Sequence, residues 1–258
     1  MSALAASTTY QIPTDERRPG FARLTRLELR KMLDTRSGLW FSAAVAAVTL
    51  ITVIITALVK GGHDATLARL FNNSVEPAAI LLPVLGVMLV CAEWSQRTTL
   101  TTFTLVPDRA RILRAKLAAS IVLAGAAFAI CLASSVAVGE LLPAPGGAGG
   151  LSIVVLAQGL VFLTATMVIG VAFGAAIMLS APAIVIYLAL PTAWDALSST
   201  IHPLKTLSHW LAIGPTLGPL ATRSFSATDW AHAGTTLALW LAVPLIIGMW
   251  RFARRDVN

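Results

Sequence analysis

Apolar runs of about 20 residues alternate with shorter polar segments along the chain. A helix rises about 1.5 Å per residue, so about 20 apolar residues are needed to cross the hydrocarbon core of a bilayer. The run 39–59 has 21 residues without a charge, and the run from Leu151 to Trp194 has 44, enough for a hairpin of two crossings. The pattern predicts an all-α, polytopic integral membrane protein with six transmembrane helices, at about residues 39–59, 77–92, 117–139, 152–179, 182–198 and 233–250.

Helix-breaking residues mark the ends of these runs. Lys60-Gly61-Gly62 follows the first run, and we interpret the stretch from Gly61 to Glu76 as a polar loop. A turn rich in proline and glycine, from Pro143 to Gly150, ends the third run. Ser180-Ala181-Pro182 is the predicted turn between spans four and five, because proline begins helices well and ends them badly.

The segment 198–230 is mixed in character. Its apolar stretch, Trp210 to Leu220, is too short to span a bilayer and contains two prolines. We therefore expect short interfacial or re-entrant helices here, anchored by Trp210 and Trp230. Earlier in the chain, Gly170 and Gly174 form a pair of small residues four positions apart, a spacing that permits close contact between two helices.

The N-terminal part of the chain divides into a tail and a helix. Residues 1–20 are rich in Ser, Thr, Pro and charge and are predicted to be a disordered cytoplasmic tail. Residues 21–37 have a helical period, with arginines on one face and apolar residues spread over the opposite side. This pattern predicts an amphipathic helix in the membrane interface, facing lipid headgroups with Arg23, Arg26, Arg30 and Lys31; the alternative is an ordinary topology anchor for the first span.

Composition and charge place the chain in a membrane and give it an orientation. Hydrophobic residues make up 57% and charged residues 12%, whereas soluble domains average about 25% charged. The net charge of +7 does not indicate nucleic-acid binding, because the cations lie between the spans. Seven precede the first span, five lie in 93–116 and three at the C-terminus, fifteen of nineteen. Both termini are therefore predicted to be cytoplasmic, in the plasma (inner) membrane.

The sequence contains no recognisable catalytic set and no phosphate-binding GxxxxGK[ST] motif. The acids and histidines near the outer boundary of the spans lack zinc-ligand spacing, and the two cysteines lie in apolar runs. The acids there are interpreted as snorkelling or capping groups, with a place in a substrate path as the alternative. The acids are Glu76, Glu140 and Asp195, the histidines are His63, His202, His209 and His232, and the cysteines are Cys91 and Cys131.

The polar, basic stretch from Glu93 to Lys116 is the segment with the clearest functional pattern. Glu93 and Arg97 are four residues apart, which suits an ion pair on one helix face, and Pro107-Asp108 divides the stretch into two helical halves. A topological loop could be half this length, since connections are typically about 4–6 residues. We interpret the segment as a docking surface for a soluble partner, although cytoplasmic cations also anchor spans without any partner.

These features together resemble the permease subunits of ABC-2 type exporters. The stretch from Thr25 to Trp40 is similar to that family's N-terminal connecting helix, and Ser180 to Trp194 to its tight turn between spans four and five. That turn often carries Arg or Lys in the family and has neither here. By this resemblance, the residues that couple the chain to the ATPase are Glu93, Arg97, Thr98, Pro107, Arg111 or Arg114, and Lys116.

The resemblance implies half of a transmembrane dimer, formed with a second copy or a sister permease, mainly through spans one and five. ATP and Mg²⁺ would be bound by a separate ATPase subunit, so this chain would hold no cofactor or metal and would not be an enzyme. The expected cargo is an amphipathic drug, peptide or lipid-like solute. A membrane scaffold or regulatory protein that works without ATP is an alternative. A secondary transporter is another, although it would need a polar site at mid-membrane depth or repeat symmetry.

Overall fold

The computed structural model describes residues 20–59, 66–95, 109–141 and 151–254. Within these ranges the chain forms ten α-helices, a 3₁₀ turn at Gly218–Ala221 and a turn of π-helix at Ala238–Ala242, with no strand. The predicted disordered tail lies outside the described residues, apart from Gly20. The helices are α1 Phe21–Asp34, α2 Arg36–Val59, α3 Leu67–Ser95, α4 Arg109–Leu141, α5 Ile153–Ile177, α6 Ser180–Thr200, α7 His202–Leu211, α8 Ile213–Leu217, α9 Ala227–Leu237 and α10 Val243–Arg254.

Six stretches of helix are long and apolar enough to cross a membrane. Five of them belong to α2 through α6, and the sixth runs without a break through α9, the π-turn and α10. The prediction of an all-helical chain with six candidate membrane spans is therefore confirmed within the described residues. The six stretches are Arg36–Val59, Leu67–Ala92, Ala110–Leu141, Ile153–Ile177, Ser180–Thr200 and Ala227–Arg251.

The second span begins earlier than the sequence suggested. The prediction of a polar loop up to Glu76 is wrong, because α3 starts at Leu67. Thr66 caps this end of the helix, accepting a hydrogen bond from Arg69 N on its side-chain oxygen at 3.3 Å. Leu70 and Phe71 are fully buried in the first two turns. The polar residues between them and Glu76 thus belong to an amphipathic helix end rather than to a loop.

The turn between spans four and five lies two residues before its predicted position. Helix α5 ends at Ile177, and Met178 adopts a left-handed conformation with φ of 62°. Met178 N donates to Gly174 O at 2.8 Å, which closes the end of α5. Pro182 lies in the first turn of α6, where its missing N–H removes no helical hydrogen bond.

Helices α3 and α5 form the closest helix pair in the core, and glycines make the approach possible. A Cβ atom on Gly170 would lie 2.1 Å from Pro83 O, and one on Gly86 would lie 2.5 Å from Met167 O. On Gly174 it would lie 3.1 Å from Val87 Cα. The prediction that Gly170 and Gly174 allow close helix contact is confirmed.

Contacts between helices define the two ends of the bundle. Lys116 of α4 bonds to Leu89 O of α3, Cys91 Sγ donates to Gly174 O of α5, and Arg251 donates to Ala176 O. We call this end the Lys116 end. The opposite end, which we call the Gln158 end, holds the start of α5 and the short helices α7 and α8.

The segment 198–230 contains the short helices that its sequence predicted. Side chains of the bundle hold its backbone at the Gln158 end. With its amide oriented to satisfy both groups, Gln158 Nε2 donates to Arg223 O at 2.8 Å and its Oε1 accepts from Phe225 N at 2.9 Å. Thr236 Oγ1 donates to Trp210 O at 3.0 Å, and Trp240 Nε1 donates to Leu211 O at 2.6 Å. These bonds satisfy carbonyls that the short helices leave free at their ends.

Candidate coupling site

The predicted coupling segment is described at its two ends. Helix α3 runs to Ser95 and so includes Glu93, and α4 begins at Arg109. The part of the segment from Arg109 onward is therefore helical, whereas the predicted break at Pro107-Asp108 lies outside the described residues. Arg97, Thr98 and Pro107, three of the predicted site residues, lie outside the described residues.

The two predicted cations on α4 lie near the surface of its first turns. Arg111 is half-buried, whereas Arg114 is exposed and its Nε donates to Ala110 O at 3.3 Å. Between them, Ile112 and Leu113 are buried. This helix end is therefore amphipathic, and it carries the predicted basic positions on its outer side.

Lys116 has a different environment from the other cations of the segment. Its side chain is 1% exposed, which is rare for lysine in a folded protein. Its Nζ donates to Glu28 Oε2 at 2.6 Å and to Leu89 O at 3.1 Å. Helices α1, α3 and α4 therefore meet at one ammonium group.

Glu28 is a site residue that sequence reasoning missed. Its side chain is 7% exposed, and its second carboxylate oxygen, Oε1, accepts from Lys31 Nζ at 2.8 Å. Lys31 is 47% exposed, so one carboxylate joins a buried ammonium to one that reaches solvent. A signal for this was present, because Leu24, Glu28 and Met32 recur every four residues and so share one helix face.

The buried face of α1 consists of Leu24, Glu28 and Met32, and it packs mainly on α4 and the start of α2. The predicted basic face is exposed at Arg23, Arg26 and Arg30. The predicted apolar side is divided, because Leu24 and Met32 are buried in protein whereas Phe21, Leu27 and Leu33 are exposed. The helix thus has a protein-facing stripe and a separate outer surface.

A sharp turn between α1 and α2 sets the position of this stripe. Thr35 is extended, with φ of −85° and ψ of 133°, and its Oγ1 accepts from Gly38 N at 3.2 Å. A Cβ atom on Gly38 would lie 2.1 Å from Met32 O, so a larger residue would open the turn. The turn allows α1 to fold back onto α4 instead of continuing along α2.

The three acids predicted near the outer boundary do not converge on a site. Glu76, Glu140 and Asp195 are all exposed on the surface of the chain. Among the described residues, no group of three or more His, Cys, Asp or Glu side chains could hold a metal ion. His232 packs edge-on against Trp210, with ring centroids 4.1 Å apart, and so takes part in an aromatic contact.

Comparison with protein-family models finds no match, and comparison with curated proteins finds none either. Functional inference therefore depends on the residues and contacts of this chain. The most specific of these contacts is the cluster of Glu28, Lys31, Lys116 and Leu89 O, which we call the Lys116 cluster.

The charges of the Lys116 cluster are compensated by direct bonds. Moving an ammonium or a carboxylate out of water is costly unless the charge is paired and its hydrogen bonds are made. Lys116 meets this requirement through a carboxylate and a backbone carbonyl. Separating the Glu28 carboxylate from the Lys116 ammonium is costly, so the cluster fixes the position of α1 on α4. An apolar contact in the same place would allow the helices to slide, because its energy does not depend on orientation.

Proposed function

We propose that this chain is the membrane-spanning permease subunit of an ATP-driven exporter, and that a separate ATPase subunit hydrolyses the ATP. The observation that supports this most directly is the convergence of α1, α3 and α4 on Lys116. A subunit that receives movement from outside the bilayer needs a rigid connection between its surface helices and its spans. The Lys116 cluster is a connection of this kind.

The coupling step follows from the sequence and this contact. The basic segment 93–116 and the exposed arginines of α1 form the surface offered to the ATPase and to anionic lipid headgroups. Closure of the ATPases on ATP moves this surface, and α3 and α4 carry the movement into the bundle. ATP and Mg²⁺ belong to the partner, and this chain contributes no catalytic group.

The positive-inside rule orients the proposed permease. Fifteen of nineteen cations fall on the side that carries both termini and the segment 93–116, which makes that side the cytoplasm. The Lys116 end is then the cytoplasmic end, and α7 and α8 lie at the outer end. The proposed location is the plasma (inner) membrane.

A second permease chain, identical or a sister, completes the proposed transporter. Helix α6 has the lowest hydropathy of the six candidate spans and is also the least buried within the chain. A span that faced lipid over most of its surface should instead be strongly apolar. Thr192, Asp195 and Ser199 of α6 are exposed, which favours cover by a second protein chain over cover by lipid.

The proposed cargo is an amphipathic solute such as a drug, a peptide or a lipid-like molecule. Large apolar side chains are exposed along α2 and α6, among them Ile51, Ile55 and Val185. A transport path lined by such residues accommodates the apolar surface of a solute, and a few polar groups at the edge of the path orient the solute. An ion would need a denser set of polar groups.

The experiment that tests the proposal is co-purification with a candidate ABC-type ATPase subunit, followed by ATPase assays of the reconstituted complex. Arg97→Glu should abolish the stimulation of hydrolysis by the permease while the complex stays assembled. Lys205→Glu, a charge reversal at an exposed position in α7, is the matched control and should leave stimulation unchanged.

Two results would count against the proposal. If Arg97→Glu left both stimulation and assembly intact, segment 93–116 would not be the coupling surface. If no ATPase bound the chain, the scaffold and secondary-transporter alternatives would be favoured instead.

A further inference from the structure

Lys116 joins the two helices that flank segment 93–116 to the helix that precedes the first span. Its Nζ lies 3.1 Å from Leu89 O, near the end of α3, and 2.6 Å from Glu28 Oε2 in α1. Lys116 itself lies in the first turns of α4. The two helices at the ends of segment 93–116 and helix α1 are thus held together by bonds to one atom, Lys116 Nζ.

Stability alone is a weak explanation for this contact. Apolar residues of similar volume often replace a buried ion pair without loss of stability, and sometimes with a gain. The neighbours on the same face of α1, Leu24 and Met32, are apolar and buried and already hold the helix against the bundle. A charged pair at the centre of this face fixes the orientation and the register of α1 on the bundle, which apolar contacts alone do not.

We propose that Glu28 and Lys116 are positioning residues, which fix the register and angle of α1 on α3 and α4 so that the three helix ends move as one body. This inference rests on the proposed function, in which these helix ends receive the movement of the ATPase. Partial displacement of α1 would lengthen the bond between Glu28 Oε2 and Lys116 Nζ inside an apolar surrounding. The docked position is therefore sharply defined.

The charged groups around the pair agree with this role. Lys31 binds the other oxygen of Glu28 at 2.8 Å from the solvent side, so the carboxylate is held from two directions. Arg30 and Asp34 pair with each other at 3.0 Å on the exposed face of α1. That exposed pair has the same charges on the same helix and contacts neither Glu28 nor Lys116 in the bonds described, which makes it a matched control.

The test measures the distance between α1 and α4 in the full-length protein in lipid nanodiscs. Spin labels are placed on Ala22→Cys and Ala110→Cys, both exposed positions, and the native Cys91 and Cys131 are buried. The wild-type background should give one narrow distance population. Glu28→Met/Lys116→Met should keep or raise the thermal midpoint yet broaden the distribution about twofold, because apolar contacts are non-directional.

The control and the second variant make the result decisive. Asp34→Asn removes the exposed pair and should leave the distribution as narrow as in the wild type. Glu28→Gln, which keeps the shape of the side chain but removes its charge, should broaden the distribution as the double variant does. A distribution of wild-type width in a folded double variant, or in Glu28→Gln, would overturn the inference.

A second arm separates this inference from the proposed function. The same labels are measured in the complex with the candidate ATPase subunit, with ATP and with ADP. In the wild type the α1–α4 distance should stay a single narrow population at the same value with ATP and with ADP, because the three helix ends move as one body. In the double variant stimulation of hydrolysis should fall to the level of the ATPase alone. If no ATPase binds, the proposed function fails, and the widths measured without nucleotide still decide the role of the pair.

Discussion

Lys116 Nζ lies 2.6 Å from Glu28 Oε2 across 88 residues of sequence, and both side chains are more than nine-tenths buried. A lysine followed by an apolar run is ordinarily a topology anchor that reaches toward lipid headgroups. Here the ammonium turns inward instead and is neutralised by a carboxylate from the N-terminal helix. The contact links the surface of the protein to its spans.

Removing one member of this pair should cost far more than replacing both. Lys116→Met leaves the Glu28 carboxylate without its buried partner, so we expect a loss of about 3–5 kcal/mol in stability, whereas Glu28→Met/Lys116→Met should be close to neutral. Thermal unfolding in detergent, followed by the loss of the monodisperse gel-filtration peak, measures the difference. Equal midpoints for the single and double variants would contradict the assignment of a buried ion pair.

Because α3 and α5 approach each other closely, the stability of the protein should depend strongly on the absence of a side chain at Gly170. Gly170→Ala places a methyl group against the backbone of Pro83, and overpacking of this kind costs about 1–3 kcal/mol. Gly125→Ala in α4 is the matched control, since nothing lies within 4 Å of the added carbon, and it should be stabilising by about 0.5–1 kcal/mol. Midpoints that move in the same direction for both variants would argue against this helix packing.

The Trp240 indole should hold the short helices in place through one hydrogen bond. Trp240→Phe keeps an aromatic ring that can stack on Phe173 but leaves Leu211 O without its donor, a loss of about 0.5–1.5 kcal/mol for this part-buried hydrogen bond. Hydrogen exchange of the amides in 202–226 should then accelerate. Trp230→Phe, in which the residue replaced is about half exposed, should leave exchange unchanged. Unchanged exchange in Trp240→Phe would show that apolar packing alone holds the segment.

The proposed orientation predicts opposite labelling of two introduced cysteines. Thr102→Cys, within segment 93–116, should react with a membrane-impermeant maleimide after the cells are opened and not before. Thr206→Cys, an exposed position of α7, should react in intact cells. The unsubstituted protein serves as the control, because Cys91 and Cys131 are buried. Labelling of Thr102→Cys from outside would invert the topology and remove the basis for the coupling surface.

Several features of the fold could be predicted because they depend on short stretches of sequence. The uncharged run from Leu151 to Trp194 required two crossings, and the structure forms α5 and α6 there. The interrupted segment 198–230 required short helices, and α7 and α8 lie there. The boundary errors are also local. Thr66 caps α3 ahead of residues that look like a loop, and Met178 makes a left-handed turn for which glycine is the usual residue.

The sequence by itself determined an all-helical chain with six candidate spans, and a cytoplasmic basic side of the bundle and an amphipathic interfacial α1 stay predictions. Each of these follows from a sum of hydrophobic and charge contributions over neighbouring residues. Only the tertiary structure decided which polar side chains are buried together. Glu28 and Lys116 meet because the turn at Thr35 folds α1 back onto α4, and Gln158 meets Phe225 because the short helices fold over the start of α5. Such pairings depend on distances between helices, which no local pattern of residues encodes.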